Sequence, residues 1–155
     1  MKTTVVAPHK SSLGMDANIA ILIMFIAMAA LAWIPYFGWI AAWGVPLVFL
    51  ILEKQSGFVK FWAVQAIGIG IVRAALSFIF QILYWITMPK VNDLNSALNF
   101  LTGRGWGVWR LFVTLSWIIG LIITLIEVYA IWKALTYKQV SLPVIGPVAE
   151  RVSGS

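Results

Sequence analysis

The stretch FWAVQAIGIGIVRAALSFIFQILYWITM, residues Phe61–Met88, decides the fold class of this chain. It exceeds the ~18–20 apolar residues that cross the ~30 Å hydrocarbon core of a bilayer at about 1.5 Å per residue. Arg73 is its only charged side chain. The whole chain has 155 residues, of which 62% are hydrophobic and only 10% are charged. A soluble domain of this length could not bury so much apolar surface, so the composition predicts a membrane protein.

Three further apolar tracts complete the prediction of an all-α polytopic integral membrane protein with four transmembrane helices. They are Ala17–Ile34, Gly38–Leu52 and Val108–Trp132. The segment Pro35–Gly38 predicts a tight turn between the first two tracts. Gly38–Leu52 is short for a span, so two alternatives are open: it crosses the membrane, or it re-enters it.

The distribution of basic side chains favours four complete spans. Four spans place three basic residues on one side and seven on the other, whereas re-entry of the second tract gives five on each side. The set of three is Lys90, Arg104 and Arg110, and the set of seven is Lys2, Lys10, Lys54, Lys60, Lys133, Lys138 and Arg151. Because cytoplasmic loops carry an excess of Lys and Arg, both termini are expected in the cytoplasm.

The chain is thus expected to have three regions. Residues 1–16 form a polar cytoplasmic N-terminus, residues 17–132 the four-helix transmembrane domain, and residues 133–155 a cytoplasmic tail. Pro143 and Pro147 exclude a long helix in the tail, which is expected to fold back under the helices.

A short amphipathic helix is predicted between the third and fourth spans. Asn92 or Asp93 can cap its start and Gly103 can end it. Its apolar residues recur at helical spacing; they are Leu94, Ala97, Leu98 and Leu101. Such a helix is expected to lie flat in the outer interface as a cap over the bundle, and a docking or gating role is the alternative.

Small and polar side chains follow one face of each of the two longest spans. At about 100° per residue these faces are narrow. On the third span the face comprises Ala66, Gly70, Arg73, Ala74, Ser77 and Gln81, and on the fourth Ser116, Gly120, Thr124 and Glu127. Small residues at this spacing allow close helix packing, so both faces are expected to point into the bundle.

Arg73 and Glu127 are expected to form an intramembrane ion pair. An unpaired ion at this depth costs at least ~3 kcal/mol on insertion scales. Two roles are open for the pair. It fixes the register of two helices, or it marks a conduction or proton path.

No catalytic, metal or cofactor site is predicted. The chain has no cysteine and a single histidine, His9, and its two aspartates are Asp16 and Asp93. All three lie outside the spans, so neither a Ser–His dyad nor an aspartate pair is expected in the membrane. The net charge of +6 is attributed to anchoring beside anionic lipid, and nucleic acid is not expected as a partner.

Two short motifs resemble those of a bacterial family of small four-helix membrane proteins. SGFVKFWAVQA, at Ser56–Ala66, is similar to the start of that family's central helix, with Trp62 where the family has His. LPVIGPVAE, at Leu142–Glu150, is similar to its tail. The family is distantly similar to the Tic-type component of chloroplast protein import and includes the magnetosome proteins MamF and MmsF. The resemblance implies a four-helix fold, a location in the bacterial cytoplasmic (inner) membrane, and control of mineral growth for the magnetosome members. It also implies motif positions at Phe58, Gln65, Ala66, Pro143 and Gly146.

The expected function is non-enzymatic, as an accessory or scaffold subunit of a larger membrane assembly. The expected partners are the lipid bilayer and either other membrane subunits or further copies of the chain. One alternative is a channel or transporter component in which Arg73, Gln81 and Glu127 line a polar path. A second alternative is a holin or immunity-type small membrane protein.

Overall fold

The computed structural model describes residues 3–32, 38–103, 106–143 and 145–154, and within them the side chains of all but residues 32 and 38–42. The predicted turn at Pro35–Phe37 lies outside the described residues, as do Lys2 and Arg104.

The described part of the chain is mostly helical, as the composition predicts. Its elements in chain order are β1 Thr3–Val5, α1 Ala17–Ala32, α2 Gly38–Leu52, α3 Gly57–Thr87, α4 Leu94–Leu101, α5 Gly107–Leu135, β2 Lys138–Val140 and α6 Gly146–Ser153. The helices α1, α2, α3 and α5 correspond to the four apolar tracts of the sequence.

The all-α prediction is wrong at one place, a two-stranded antiparallel sheet of β1 and β2. Thr3 pairs with Val140, and Val5 pairs with Lys138. Three residues are too few for the alternation of apolar and polar side chains that reveals a strand, and the partners lie far apart in the chain. The sheet joins the N-terminal segment to the C-terminal tail.

Two of the helices have the length and apolarity needed to cross a membrane. They are α3, with 31 residues, and α5, with 29. At ~1.5 Å per residue they rise about 46 Å and 43 Å. By the same rise α1 and α2, with 16 and 15 residues, extend about 24 Å and 22 Å, short of the ~30 Å hydrocarbon core.

Contacts divide the chain into two units. The first comprises residues 1–74 and 124–155, and the second comprises residues 75–123. The first unit holds the main apolar core, with fully buried side chains from α1, α3, α5, β2 and α6; among them are Ile21, Met24, Trp62, Ala130, Val140 and Ala149. In the second unit most large apolar side chains are exposed, and none of the α4 residues is buried.

Within the first unit, the ends of several helices meet the N-terminal segment. The backbone N–H of Ser12 donates to Glu53, directly after α2, and Asn18 at the start of α1 donates to the carbonyl of Leu135 at the end of α5. The helix α2 therefore returns the chain to the end at which α1 begins.

The predicted helix between the two long ones is present as α4. Asp93 caps it: its carboxylate accepts from the backbone N–H of Ser96, and the Ser96 hydroxyl accepts from the backbone N–H of Asp93. The Ser96 hydrogen bonds hold the pKa of Asp93 below its usual range. After the helix, Gly103 adopts a positive φ of 74°. Leu94 and Leu101 are 77% and 79% exposed, so the residues that the structure describes leave the apolar face of α4 uncovered.

The tail packs back against α3, as the two prolines suggested. A Cβ at Gly68 would lie 2.7 Å from Ile145, so only glycine leaves room for that side chain without a shift. A Cβ at Gly57 would lie 2.9 Å from the carbonyl oxygen of Ser153. Two glycines on one helix thus admit the close approach of α6 and the residue before it.

Candidate functional site

The most polar contact between the long helices joins Arg73 of α3 to Glu127 of α5. The Nη1 atom of Arg73 lies 3.1 Å from Oε1 of Glu127. Its Nη2 atom donates to the hydroxyl of Thr124 at 3.3 Å. The Glu127 side chain is 9% exposed and the Arg73 side chain 26% exposed. The Glu127 carboxylate is thus enclosed by the protein, whereas the Arg73 guanidinium is partly exposed at the protein surface.

The direction of side chains on a helix explains how this contact forms. Helical side chains lean toward the N-terminus of their own helix. In the first unit α3 and α5 run antiparallel, since Phe58 at the start of α3 stacks on Tyr137 just beyond α5 with ring centroids 5.6 Å apart. Arg73 and Glu127 therefore lean toward each other, and the long arginine closes the remaining distance.

The contact neutralises two charges and ties α3 to α5. Arginine has five N–H donors in a planar fork, and two of its nitrogens are engaged here. Among the described residues there is no group of three or more His, Cys, Asp or Glu side chains that could hold a metal ion. The arrangement is suited to holding helices together.

The small and polar face of α3 is divided between buried and exposed positions. Ala66 and Gly70 are buried, whereas Ser77 and Gln81 are exposed. The expectation that the whole face points inward is therefore wrong for its second half. In the second unit α3 meets α5 through the hydrogen bond from the Tyr84 hydroxyl to Ser116. Tyr84 lies about 60° around the helix from Gln81, which leaves the glutamine outside that contact.

On α5 the corresponding face is also mixed. Ser116 and Gly120 are half-buried, Thr124 is exposed, and Glu127 is buried. The face therefore becomes enclosed only toward the C-terminal end of α5, where Glu127 lies.

The residues of the two motifs meet in the first unit. Gln65 is fully buried; its Nε2 donates to the Val140 carbonyl at 3.1 Å, and its Oε1 accepts from the Leu142 N–H at 2.9 Å. Gly146 is buried against Ser141, where a Cβ would overlap the serine side chain. Pro143 is exposed between them. The first motif thus binds the backbone of the second.

A buried carboxylate near the start of α3 was not singled out by sequence reasoning. Glu53 is 1% exposed and accepts hydrogen bonds from the backbone N–H groups of Ser12, Gln55 and Ser56, the shortest at 2.8 Å. Burial raises the pKa of Glu53, but the Ser56, Ser12 and Gln55 hydrogen bonds together lower it below its usual range. Glu53 therefore connects the loop before α1 to the loop before α3.

His9 lies beside the same loop, 47 residues away in sequence from its partner Ser56. Its Nδ1 lies 2.9 Å from the Ala7 carbonyl, which can only accept, so Nε2 is left to accept from the Ser56 hydroxyl at 2.7 Å. This has the form of a Ser–His dyad, a pairing that the sequence analysis did not foresee. Ser56 is only 2% exposed, and its hydroxyl also accepts from the backbone N–H of Val59 as the cap of α3. Both observations indicate a structural role for the pair.

Two archaeal proteins are similar to this chain. A UPF0132 membrane protein of Methanocaldococcus jannaschii is 31% identical over 144 residues, which cover 93% of this chain and 94% of the relative. A UPF0132 membrane protein of Archaeoglobus fulgidus is 32% identical over 108 residues, covering 70% of this chain and 81% of the relative. No protein-family model and no solved structure matches the chain. These relatives support a membrane protein family of unknown function, and they do not support the bacterial, Tic-type or magnetosome relationship that the motifs suggested.

Proposed function

Since this chain belongs to the UPF0132 family of membrane proteins, we propose that it is a non-enzymatic accessory or scaffold subunit of a larger membrane assembly. The observation that carries the proposal is the contact of Arg73 with Glu127. Each of the two charges has the other as its partner, and Thr124 takes a further donor. Ionisable side chains inside a membrane are retained for a pathway or for helix pairing, and mutual neutralisation favours pairing.

The exposed surface of the second unit supports the assembly role. Trp85 and Trp117 are 79% and 76% exposed, and Ser77 and Gln81 present polar groups beside apolar ones. Lipid covers apolar side chains as well as protein does, but it offers no hydrogen bonds to polar groups. Polar side chains on an outer helix face are therefore suited to contact with another membrane protein.

The proposed topology has four membrane segments and cytoplasmic termini. The basic residues Lys10, Lys54 and Lys133 belong to segments that meet at one end of the first unit, where α1 begins and where α2 and α5 end. The positive-inside rule assigns this end to the cytoplasm. The short α1 and α2 cross with local thinning of the bilayer or with snorkelling of flanking residues. The exposed leucines of α4 then rest in the interface on the opposite side.

The test is gentle extraction from native membranes followed by determination of the native mass of the particle that contains this chain. A defined complex with other proteins is expected. A particle that contains only lipid and one copy of the chain would contradict the assembly role. A neutral double variant, Arg73→Leu with Glu127→Leu, distinguishes the accessory role from the channel alternative. If the pair is structural, this variant in proteoliposomes has the same low ion flux as the unmodified protein.

A further inference from the structure

Two lysines lie together at the short connection between α2 and α3. Lys54 is exposed just beyond the end of α2, and Lys60 is half-buried in the first turn of α3. The Nζ atom of Lys60 donates to the backbone carbonyl of Lys54 at 3.1 Å. This contact engages one of the three N–H donors of the Lys60 ammonium group. The Lys54 side chain makes no hydrogen bond with any of the described residues.

No carboxylate among the described residues neutralises these two lysines. In that part of the chain the only ion pair is that of Arg73 with Glu127. Glu53, the neighbour of Lys54 in sequence, is buried, and its oxygens accept hydrogen bonds from backbone N–H groups. Two positive charges are therefore left at the connection for an anion from outside the chain.

The helices on either side of this basic connection present apolar side chains to their surroundings. On α2, Val48 and Ile51 are exposed. On α3, Ile67 and Ile71 lie within about 20° of Lys60 around the helix at ~100° per residue. Ile67 is half-buried and Ile71 is exposed. Because α2 ends at the connection and α3 begins there, each helix carries its apolar side chains away from the lysines.

From this arrangement we infer that the connection between α2 and α3 is a binding site for an anionic phospholipid. The phosphate group lies at Lys54 and Lys60, and the acyl chains lie against the apolar side chains of α2 and α3. Lysine binds phosphate as a compact point charge. A phospholipid carries both an anionic group and apolar chains, whereas free phosphate or a soluble acidic protein would leave the apolar side chains uncovered.

The inference goes beyond the accessory role and does not depend on it, because every group of the site belongs to one chain. The test follows the Tm of the full chain, purified in a nonionic detergent, while dioleoylphosphatidylglycerol is added. Dioleoylphosphatidylcholine is the matched lipid, with the same acyl chains and no net charge. Since a ligand that binds only the folded state raises the Tm, the anionic lipid should raise it more at equal concentration.

Salt should remove much of the difference between the two lipids. An increase in ionic strength from ~0.1 M to ~1 M shortens the Debye length from ~10 Å to ~3 Å and so screens the exposed ammonium groups. The Tm increase caused by dioleoylphosphatidylglycerol should then approach that caused by dioleoylphosphatidylcholine, because contacts of the acyl chains do not depend on charge.

A double variant, Lys54→Gln with Lys60→Gln, removes both charges of the site. Loss of one lysine beside an anionic lipid weakens binding about fivefold, so the half-maximal Tm increase should need roughly 25-fold more dioleoylphosphatidylglycerol. Lys54→Arg with Lys60→Arg keeps the charges and should keep the response. The matched control is Lys90→Gln with Arg110→Gln, which makes the same change in net charge at exposed residues of the second unit and should leave the titration unchanged.

Three results would overturn the inference. They are equal Tm increases with the two lipids, equal losses in the two glutamine double variants, and an equal Tm increase with inorganic phosphate alone, which would assign the lysines to a soluble anion. If the double variant at the site does not fold, Lys54→Gln alone gives the same test with an expected fivefold change, about one charge's share. The native mass that tests the accessory role is a separate measurement, so either proposal can fail without the other.

Discussion

The carboxamide of Gln65 on α3 binds the backbone of the C-terminal tail at Leu142, with a distance of 2.9 Å from Oε1 to the leucine nitrogen. The same side chain donates to the carbonyl of Val140, two residues earlier. The glutamine thus continues the hydrogen bonding of β2 beyond its last residue and fixes where the tail lies on the helix.

Replacement of Gln65 by leucine should destabilise the protein strongly. The change removes two hydrogen bonds and leaves a buried N–H and a buried carbonyl without partners, at about 1–3 kcal/mol for each unsatisfied group. Thermal unfolding in detergent should report a lower Tm. Gln55→Leu is the matched control because Gln55 is exposed, and it should leave the Tm nearly unchanged. Equal effects of the two variants would contradict the role assigned to Gln65.

Exchange of the two charges should show that Arg73 and Glu127 are each other's partner. Either single variant, Arg73→Glu or Glu127→Arg, leaves like charges in an enclosed site, and a broken buried pair costs about 3–5 kcal/mol. The double variant restores opposite charges and should recover folded protein in membranes, measured by size-exclusion chromatography after extraction. A double variant that is no better than the singles would refute the pairing.

The stability of the protein should fall on acidification through the titration of Glu53. The folded-state pKa of Glu53 is lowered, so its contribution is complete above the pKa of glutamate in the unfolded chain and is lost as pH falls through the lower folded-state pKa. Denaturation in detergent between about pH 6 and pH 3 should show this loss. In Glu53→Gln the contribution should be absent at every pH, which would flatten that part of the profile. An unchanged profile in this variant would refute the assignment.

Trp62 is the position at which a smaller aromatic ring should be tolerated. The side chain is fully buried, and its Nε1–H has no hydrogen-bond partner among the described residues. Trp62→Phe removes that unpaired donor together with some packing, so the two effects oppose each other and the net change should stay within about 1–2 kcal/mol. Trp62→Ala removes the same donor but far more packing, and should cost about 3–5 kcal/mol. Equal losses in Tm for the two variants would contradict this account.

The proposed topology predicts which single cysteines react with a membrane-impermeant maleimide from each side. Ser12→Cys, before α1, should be labelled only from the cytoplasmic side, and Asn95→Cys on α4 only from the opposite side. The two positions are exposed. The proposed topology has three membrane crossings, α1, α2 and α3, between these two positions. Labelling of both cysteines from the same side would contradict it.

The sequence by itself determined the class of protein and the approximate positions of its helices. Apolar tracts of this length have few alternatives to helices in lipid, because only a helix satisfies its own backbone there. It also predicted α4, since Asp93 and the spacing of the leucines are local signals. The ion pair of Arg73 with Glu127 followed from the cost of an isolated charge and from the lean of helical side chains.

The tertiary structure alone decided the contacts between segments that are distant in the chain. Nothing local connects Thr3 with Val140 or His9 with Ser56, because hydrogen bonds over such separations depend on how the helices return the chain. The exposure of Gln81 has the same origin. Periodicity assigns it to the face of Arg73, but which sector of that face meets α5 depends on the rotation of α3 about its own axis, and packing against the neighbouring helix sets that rotation.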